Sequence, residues 1–495
     1  MTRLGGADAN FLYLETAETP MHVAGYTLFD LPEGYQGSFH ENYREMVRSR
    51  LHLVPIFSKK LAPTLLDIHH PSWVDAPEVD FSYHFKHITL PSPGSLAQLE
   101  ELVARLHAEP LDRSRPLWQF TTIDGIETGQ VALYSKVHHA AVDGGAGMVI
   151  TNTMYDITPE PRQVKPPSAA AATPARPQDP IGDLVQSMVR FQLDMWRAAP
   201  DVMSSVANMF FPKVAKGAPL TEYLPKSPVS DAGQLLAPKT PFNVTITRER
   251  SYATRSLPLA DAKAIAKASG GKLNDVVMAI CSGALRQYLL RRNALPDSQL
   301  VAFVPISLRE LGNTDLNNQV FGMMCGLATH IADPVARLKA IQAASADAKQ
   351  MAAGFKDAMP QDYAFFGAPF LVRGFMELYG KSGLADVLPM AANVCISNVP
   401  GPNVPLYGAG AKVAALYPVS IPAHGCALNL TVQSYLGHLD FGLTADRKAV
   451  PDIRNMANDL DAAFAELKGA FPAAAPTAAG VSGATRRVTQ PPPSV

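Results

Sequence analysis

Between Val131 and His138 apolar and polar positions alternate with a period of two. Val131, Leu133, Ser135 and Val137 share one face, and Ala132, Tyr134, Lys136 and His138 share the other. The pattern predicts a strand, so the neighbours His138 and His139 start on opposite sides of it. Gly144, Gly145 and Gly147 follow, then the apolar run Met148-Val149-Ile150. That order predicts a turn opening into an apolar helix with Asp143 near its start. Elsewhere the period lengthens to that of a helix. Phe39, Tyr43, Met46, Val47 and Leu51 fall on one helical face, and Ser95 with Gln98 makes a capping box before a helix that buries Leu96, Leu99, Val103 and Leu106. Residues 272–290 predict a helix packed on Val276, Val277, Ile280, Leu285 and Leu289. The last long helix starts near Pro451 and runs through Ile453, Met456, Leu460, Phe464 and Leu467. Residues 243–247 and 251–257 read as strands that open the second half.

Composition divides the chain. Pro159 to Pro180 is rich in Pro and Ala and has no periodic apolar face, which reads as an exposed linker. Helical spacing returns from Ile181 to Phe211, with Leu184, Met188, Phe191, Met195 and Trp196 near one face, before a second Pro-rich run to Pro241. The expected organisation is therefore an N-terminal domain over 1–158, a linker and helical crossover over 159–241, a C-terminal domain over 242–471 and a disordered tail over 472–495. A chain of 495 residues exceeds one ordinary core, and 47% hydrophobic residues suffice to fill two. A net charge of −1 excludes the basic stripe of a nucleic-acid binder. The four cysteines, Cys281, Cys325, Cys395 and Cys426, have neither metal-ligand spacing nor the density of a disulfide scaffold, and read as reduced core residues of a cytoplasmic protein. No signal peptide is evident. Two uncharged stretches, 389–411 and 414–437, are interrupted by Pro, Gly, Asn and Gln, so neither is expected to span a bilayer.

The candidate chemistry lies in His138-His139-Ala140-Ala141-Val142-Asp143-Gly144. A histidine at a strand-to-helix junction is held by a rigid scaffold, and its pKa near neutrality suits it to take and return a proton. Two plainer readings stand beside this one. One histidine of such a pair can be a hydrogen-bonded core residue, and a metal site is conceivable, although adjacent strand residues point apart and no HExxH or CxxC partner exists.

The HHxxxDG pattern resembles the signature of the superfamily that holds chloramphenicol acetyltransferase, carnitine acyltransferases and peptide-synthetase condensation domains. Further blocks narrow the resemblance to bacterial wax ester synthase/diacylglycerol acyltransferases. They are Leu4-Gly5-Gly6-Ala7-Asp8-Ala9-Asn10-Phe11-Leu12 with Pro20-Met21-His22-Val23, Pro71-Ser72-Trp73-Val74, Arg115-Pro116-Leu117-Trp118, Asn274-Asp275, Pro305-Ile306-Ser307-Leu308-Arg309 and Ser397-Asn398-Val399-Pro400-Gly401-Pro402. They occur in family order up to about Phe471. One block departs: Asp440-Phe441-Gly442-Leu443-Thr444 only partly matches the DFGWG block of the more distant cousins.

The resemblance implies an α/β fold of two chloramphenicol-acetyltransferase-like domains, with mixed sheets flanked by helices and an active-site tunnel at their interface. It implies transfer of a long-chain fatty acyl group from acyl-CoA to diacylglycerol, to a long-chain alcohol, or to both. No cofactor is expected beyond acyl-CoA as co-substrate, and no metal. His139 would be the general base, with His138 supporting it. Asp143 would hold the loop by accepting backbone N–H bonds or pairing with a buried arginine, for which Arg309 is a candidate. Gly144 would supply backbone freedom in the turn. Asn274 and Ser307 are candidate donors to the oxyanion, while Asp275, Arg309, Trp118 and Asn398 are read as support. Trp118 reads first as a core side chain, Asp275 as a first-turn acid, and Ser397 to Pro402 as a rigid turn. Peripheral association with a membrane or lipid inclusion is expected, with Met188 to Phe211 as one candidate surface. Other functions kept open are acyl transfer to a specialised alcohol or polyketide, and a non-catalytic lipid carrier.

Overall fold

A computed structural model of the chain describes residues 2–62, 70–142, 144–166, 236–307, 320–356 and 369–472. The first half contains β1 (Thr2–Arg3), α1 (Gly6–Leu14), β2 (His22–Asp30), α2 (Phe39–Arg50), β3 (Lys59–Leu61), β4 (Ser72–Asp75), α3 (Phe81–His84), β5 (Phe85–Thr89), α4 (Leu96–Ala108), β6 (Trp118–Asp124), β7 (Val131–His138) and α5 (Gly144–Met154). The second contains β8 (Arg250–Pro258), α6 (Leu259–Ser269), α7 (Leu273–Arg291), β9 (Val301–Ser307), β10 (Val320–Gly326), α8 (Pro334–Lys356) and α9 (Pro369–Lys381). It continues with β11 (Val394–Val399), β12 (Tyr407–Gly408), β13 (Ala411–Val419), β14 (Leu428–Tyr435), β15 (His438–Asp446) and α10 (Ile453–Ala470).

Local chemistry explains several boundaries. Ser95 accepts from the Gln98 N–H while the Gln98 side chain accepts from the Ser95 N–H, which starts α4 as the sequence predicts. α7 begins after Lys272, whose N–H is bound by Asp275 Oδ2 at 2.9 Å. The alternation in β7 is real and serves two cores. Val131, Leu133 and Val137 pack with Phe29, Phe57 and Trp118, whereas Ala132 and Tyr134 pack with Tyr26, Val103 and α4.

Two six-stranded mixed sheets organise the molecule, in the orders β12-β13-β2-β7-β6-β5 and β10-β9-β11-β14-β15-β8. In the first, β5 and β6 are parallel; in the second, β11 runs parallel to both β14 and β9. The first sheet is not built from the first half alone. β13 pairs antiparallel with β2 from Val419 opposite Ala24 to Lys412 opposite Asp30, with a bulge between Val413 and Ala415. A sequential division that assigns all of 242–471 to one unit therefore has to give up residues 407–419 to the other sheet. Strand exchange of this kind leaves no trace in composition.

Buried polar contacts secure the exchange. Arg50 makes a bidentate pair with Asp156, at 2.9 and 2.7 Å, and the Asp156 backbone bridges to Tyr407. Asp440 of β15 accepts from the Leu416 N–H of β13 and from Ser256 Oγ. Gly442 sits where a Cβ would collide with the Pro418 carbonyl oxygen, so β13 can cross this close only over a glycine. The glycine of the partly matching DFG block thus has a packing reason of its own.

Three local expectations need correction. Leu96, expected to be buried by its helix, is 40% exposed at the first position of α4. Residues 243–247 form no strand. The Thr245 N–H goes to Asp386 and the Thr247 N–H to Asp446, so side chains take the donors a ladder would have used. Ser397 and Asn398 lie within β11, and the turn starts only at Pro400. Met188 to Phe211, the linker beyond residue 166 and the tail beyond residue 472 lie outside the described residues.

Candidate active site

β7 delivers the paired histidines to a clamped strand end. The His138 N–H donates to the Leu117 carbonyl and the His139 N–H to the Met21 carbonyl, at 2.9 and 2.8 Å. The chain then turns sharply, with the Ala140 N–H donating to His138 Nδ1 at 3.0 Å and the Ala141 N–H to the His138 carbonyl. His138 is fully buried, whereas His139 is half-buried. The His139 ring lies flat against Phe11 of α1, with centroids 3.9 Å apart and planes 8° from parallel. The opposite-face geometry expected from the alternation is thus present.

With Nδ1 accepting the Ala140 N–H, the other ring nitrogen of His138, Nε2, stands 3.3 Å from Glu15 Oε1. Glu15 is a buried hub. Oε1 accepts the Met21 N–H at 3.0 Å, and Oε2 accepts both Nε and Nη2 of Arg113 at 2.8 and 2.6 Å. Arg113 Nη2 also donates to the Leu12 carbonyl. Burial alone would push the Glu15 carboxyl up, but His138, Arg113 and the Met21 N–H outweigh it and hold the group down at about 2. Glu15 therefore joins the backbone that binds His139 to the ring of His138.

Behind His138 lies a second polar layer. His22, opposite His138 across the ladder, donates from Nε2 to the His107 carbonyl. His107 donates from Nε2 to the Ser420 carbonyl and accepts from the Tyr134 hydroxyl at Nδ1. Burial pushes both imidazoles down, His107 to about 3, so they stay neutral near physiological pH. Lys136 Nζ caps the end of α4 by donating to the Leu106 and Glu109 carbonyls, and burial lowers it to about 8. The second half reaches this region twice, through Ser420 and through Arg250, which donates to the Glu18 carbonyl.

Other residues singled out in the sequence fall elsewhere. Asn398 Nδ2 donates to Asn274 Oδ1 at 3.3 Å, which brings two separate blocks together at the start of α7. Asp275 closes the helix cap, as a first-turn acid does. Ser307 ends β9 and Gly144 opens α5. Asp143 and Arg309 lie outside the described residues, so their expected pairing carries no geometry here. Trp118 is fully buried, donates from Nε1 to the Phe57 carbonyl and stacks between Phe57 and His84. Glu15 and Arg113 are not singled out by the sequence, and Phe11 stands there only as part of the N-terminal family block. Glu15 and Arg113 are separated by 98 positions, and no local pattern pairs them. Among the described residues, no group of three or more His, Cys, Asp or Glu is placed to hold a metal ion, and no helix is long and apolar enough to cross a membrane.

Comparison with known proteins agrees across nearly the whole chain. The wax ester synthase/diacylglycerol acyltransferase catalytic domain matches residues 4–277, and the WS/DGAT C-terminal domain matches residues 316–468. A protein named O-acyltransferase WSD from Acinetobacter baylyi is 34% identical over 470 residues, covering 93% of this chain and 96% of its own. A putative diacylglycerol O-acyltransferase from Mycobacterium tuberculosis is 36% identical over 469 residues, covering 94% and 98%. Among solved structures, the wax ester synthase/diacylglycerol acyltransferase of Marinobacter aquaeolei superposes with a TM-score of 0.68 at 30% identity, over 95% of this chain and 99% of that one. The first condensation domain of the calcium-dependent antibiotic synthetase shares the fold, with a TM-score of 0.53 at 14% identity over 96% and 98%. Two interlocked mixed sheets with a histidine pair at an inner strand end, taken with these relatives, define an acyl-CoA-dependent O-acyltransferase. The chain belongs to the wax ester synthase/diacylglycerol acyltransferase family.

Proposed function

We propose that this enzyme transfers a long-chain fatty acyl group from acyl-CoA to the hydroxyl of diacylglycerol or of a long-chain alcohol, with His139 as general base. The observation that carries this reading is the division of labour within the pair. His138 is buried and turned to Glu15, while the half-buried His139 is held by its backbone and by the face of Phe11.

In the step proposed, the acceptor oxygen attacks the thioester carbonyl carbon while His139 takes its proton. The tetrahedral intermediate collapses, the C–S bond breaks, and the imidazolium returns the proton to the CoA thiolate. The products are an ester and free CoA, with no acyl-enzyme and no metal in the balance. Asn274 is the first candidate donor to the oxyanion. Its Oδ1 is turned toward Asn398, which orients its amide nitrogen away from that residue. Ser307 is the second candidate. His138, through Glu15 and Arg113, fixes the segment that holds His139. Asp143 and Gly144 shape the loop, with Arg309 as the proposed partner of Asp143, and Asp275, Trp118 and Asn398 support the frame. Because both acceptors are water-insoluble, the enzyme works at a lipid surface without spanning it.

The test is CoA release from palmitoyl-CoA by purified protein, with hexadecanol and dioleoylglycerol in competition. Acceptor-dependent release that His139→Ala abolishes is the expected result. Release without acceptor would mark a thioesterase, and binding without release a lipid carrier.

A further inference from the structure

Exposed apolar side chains gather beside α9. Phe375 and Leu378, three residues apart on one helical face, are 61% and 62% exposed, and the turn that follows exposes Val387 at 76% along with Leu388. Leu236 is also exposed and joins the same place, since the Ala237 N–H donates to the Met390 carbonyl. Ring contacts and hydrogen bonds hold the platform beneath them. Tyr379 stacks on Phe375 and meets His424 edge-on, while Lys239 Nζ and the Thr245 N–H tie down the 385–386 backbone and the Asp386 carboxylate. Cations flank the apolar face. Lys381 and Arg373 are well exposed on α9, 3.7 and 3.5 Å from Glu377, and exposed Lys239 stands beside exposed Asp386 in the turn, so three cations face two carboxylates. α9 packs in turn on α1, the helix whose Phe11 backs His139.

We propose that α9 and the 384–388 turn form the face by which this enzyme docks on an anionic phospholipid surface, a reading that rests on the lipid acceptors proposed above. An apolar face with a basic rim suits the boundary between headgroups and acyl chains, where buried apolar area and attraction to anionic lipid add. Because α9 packs on α1, acceptor drawn from the lipid would enter on the side of the molecule that carries Phe11 and His139.

The experiment is flotation with vesicles of phosphatidylcholine and phosphatidylglycerol, compared with vesicles of phosphatidylcholine alone. Wild-type protein floats with the anionic vesicles. The double variant Phe375→Ser/Leu378→Ser loses at least about tenfold in binding, and Lys381→Glu loses less, with a weaker dependence on salt. Both variants esterify a short water-soluble alcohol at the parental rate, which shows that they are folded. Wild-type protein that fails to float, or a double variant that floats equally well, overturns the proposal. So does a wild-type dimer that the double variant splits, since the face would then be a contact between copies of this chain. Flotation that follows the proposal without esterification of any alcohol overturns the functional reading and leaves the docking face standing.

Discussion

The two halves of this molecule repeat one strand arrangement and use it for opposite ends. In the first, β2 lies antiparallel to β7, β7 to β6, and β6 is parallel to β5; in the second, β8, β15, β14 and β11 stand in the same relations. The last residue of β7 is His138, opposite His22; the last residue of β15 is Asp446, opposite Arg250. In the second half the two facing side chains bind the chain around them. Asp446 accepts from the Thr247 N–H and hydroxyl and from the Ala449 N–H, while Arg250 donates to the Thr247, Glu249 and Glu18 carbonyls. In the first half the turn is closed by the buried ring of His138, and the next side chain, His139, emerges half-buried against Phe11. A strand end becomes a candidate for chemistry when its turn is held by one residue and the adjacent imidazole stands half-buried beside it.

This contrast can be broken in order of expected effect. His139→Ala should cost on the order of 10² to 10⁴ in kcat while leaving the urea midpoint unchanged. An equal loss of stability would make His139 another structural residue. Asn274→Ala should cost about 10² in kcat with little change in KM, and Ser307→Ala less; the reverse order would move the oxyanion donor to β9. Glu15→Gln should cost about tenfold in kcat and also change the acid limb of stability. The folded Glu15 carboxyl lies at about 2, below its ordinary 4.5. Its contribution, on the order of 3 kcal/mol, is therefore complete above the unfolded value and lost as pH falls through about 2. Urea titrations of wild type and Glu15→Gln should converge over that interval, and parallel curves would remove Glu15 from the account. The smallest effect on chemistry is expected of Asp446→Ala. It should cost about 2–3 kcal/mol of stability by orphaning buried donors, yet keep the specific activity of the folded fraction.

Much of the local structure was readable in the residues. The alternation before His138, the Ser95–Gln98 cap and the apolar faces of α2, α7 and α10 each follow from contacts within a few positions. The family resemblance supplied the roles attached to the histidine pair. What could not be read depends on partners far along the chain. Glu15 has an unremarkable neighbourhood until folding brings Arg113 to it. β13 gives no sign that it leaves its own half, and residues 243–247 look extended until Asp386 and Asp446 claim their N–H groups. The repeat between the halves is equally silent, because topology survives where His22/His138 and Arg250/Asp446 share no chemistry.

The loan of β13 makes each half incomplete without the other. Produced alone, the first 158 residues would present β2 as an open, unsatisfied sheet margin, an invitation to self-association. Co-produced fragments, by contrast, should find each other and refill that margin. Dissection of this enzyme at its proline-rich midpoint is thus a problem of reassembly, and any engineered exchange of halves between relatives must carry residues 407–419 along with the sheet they complete.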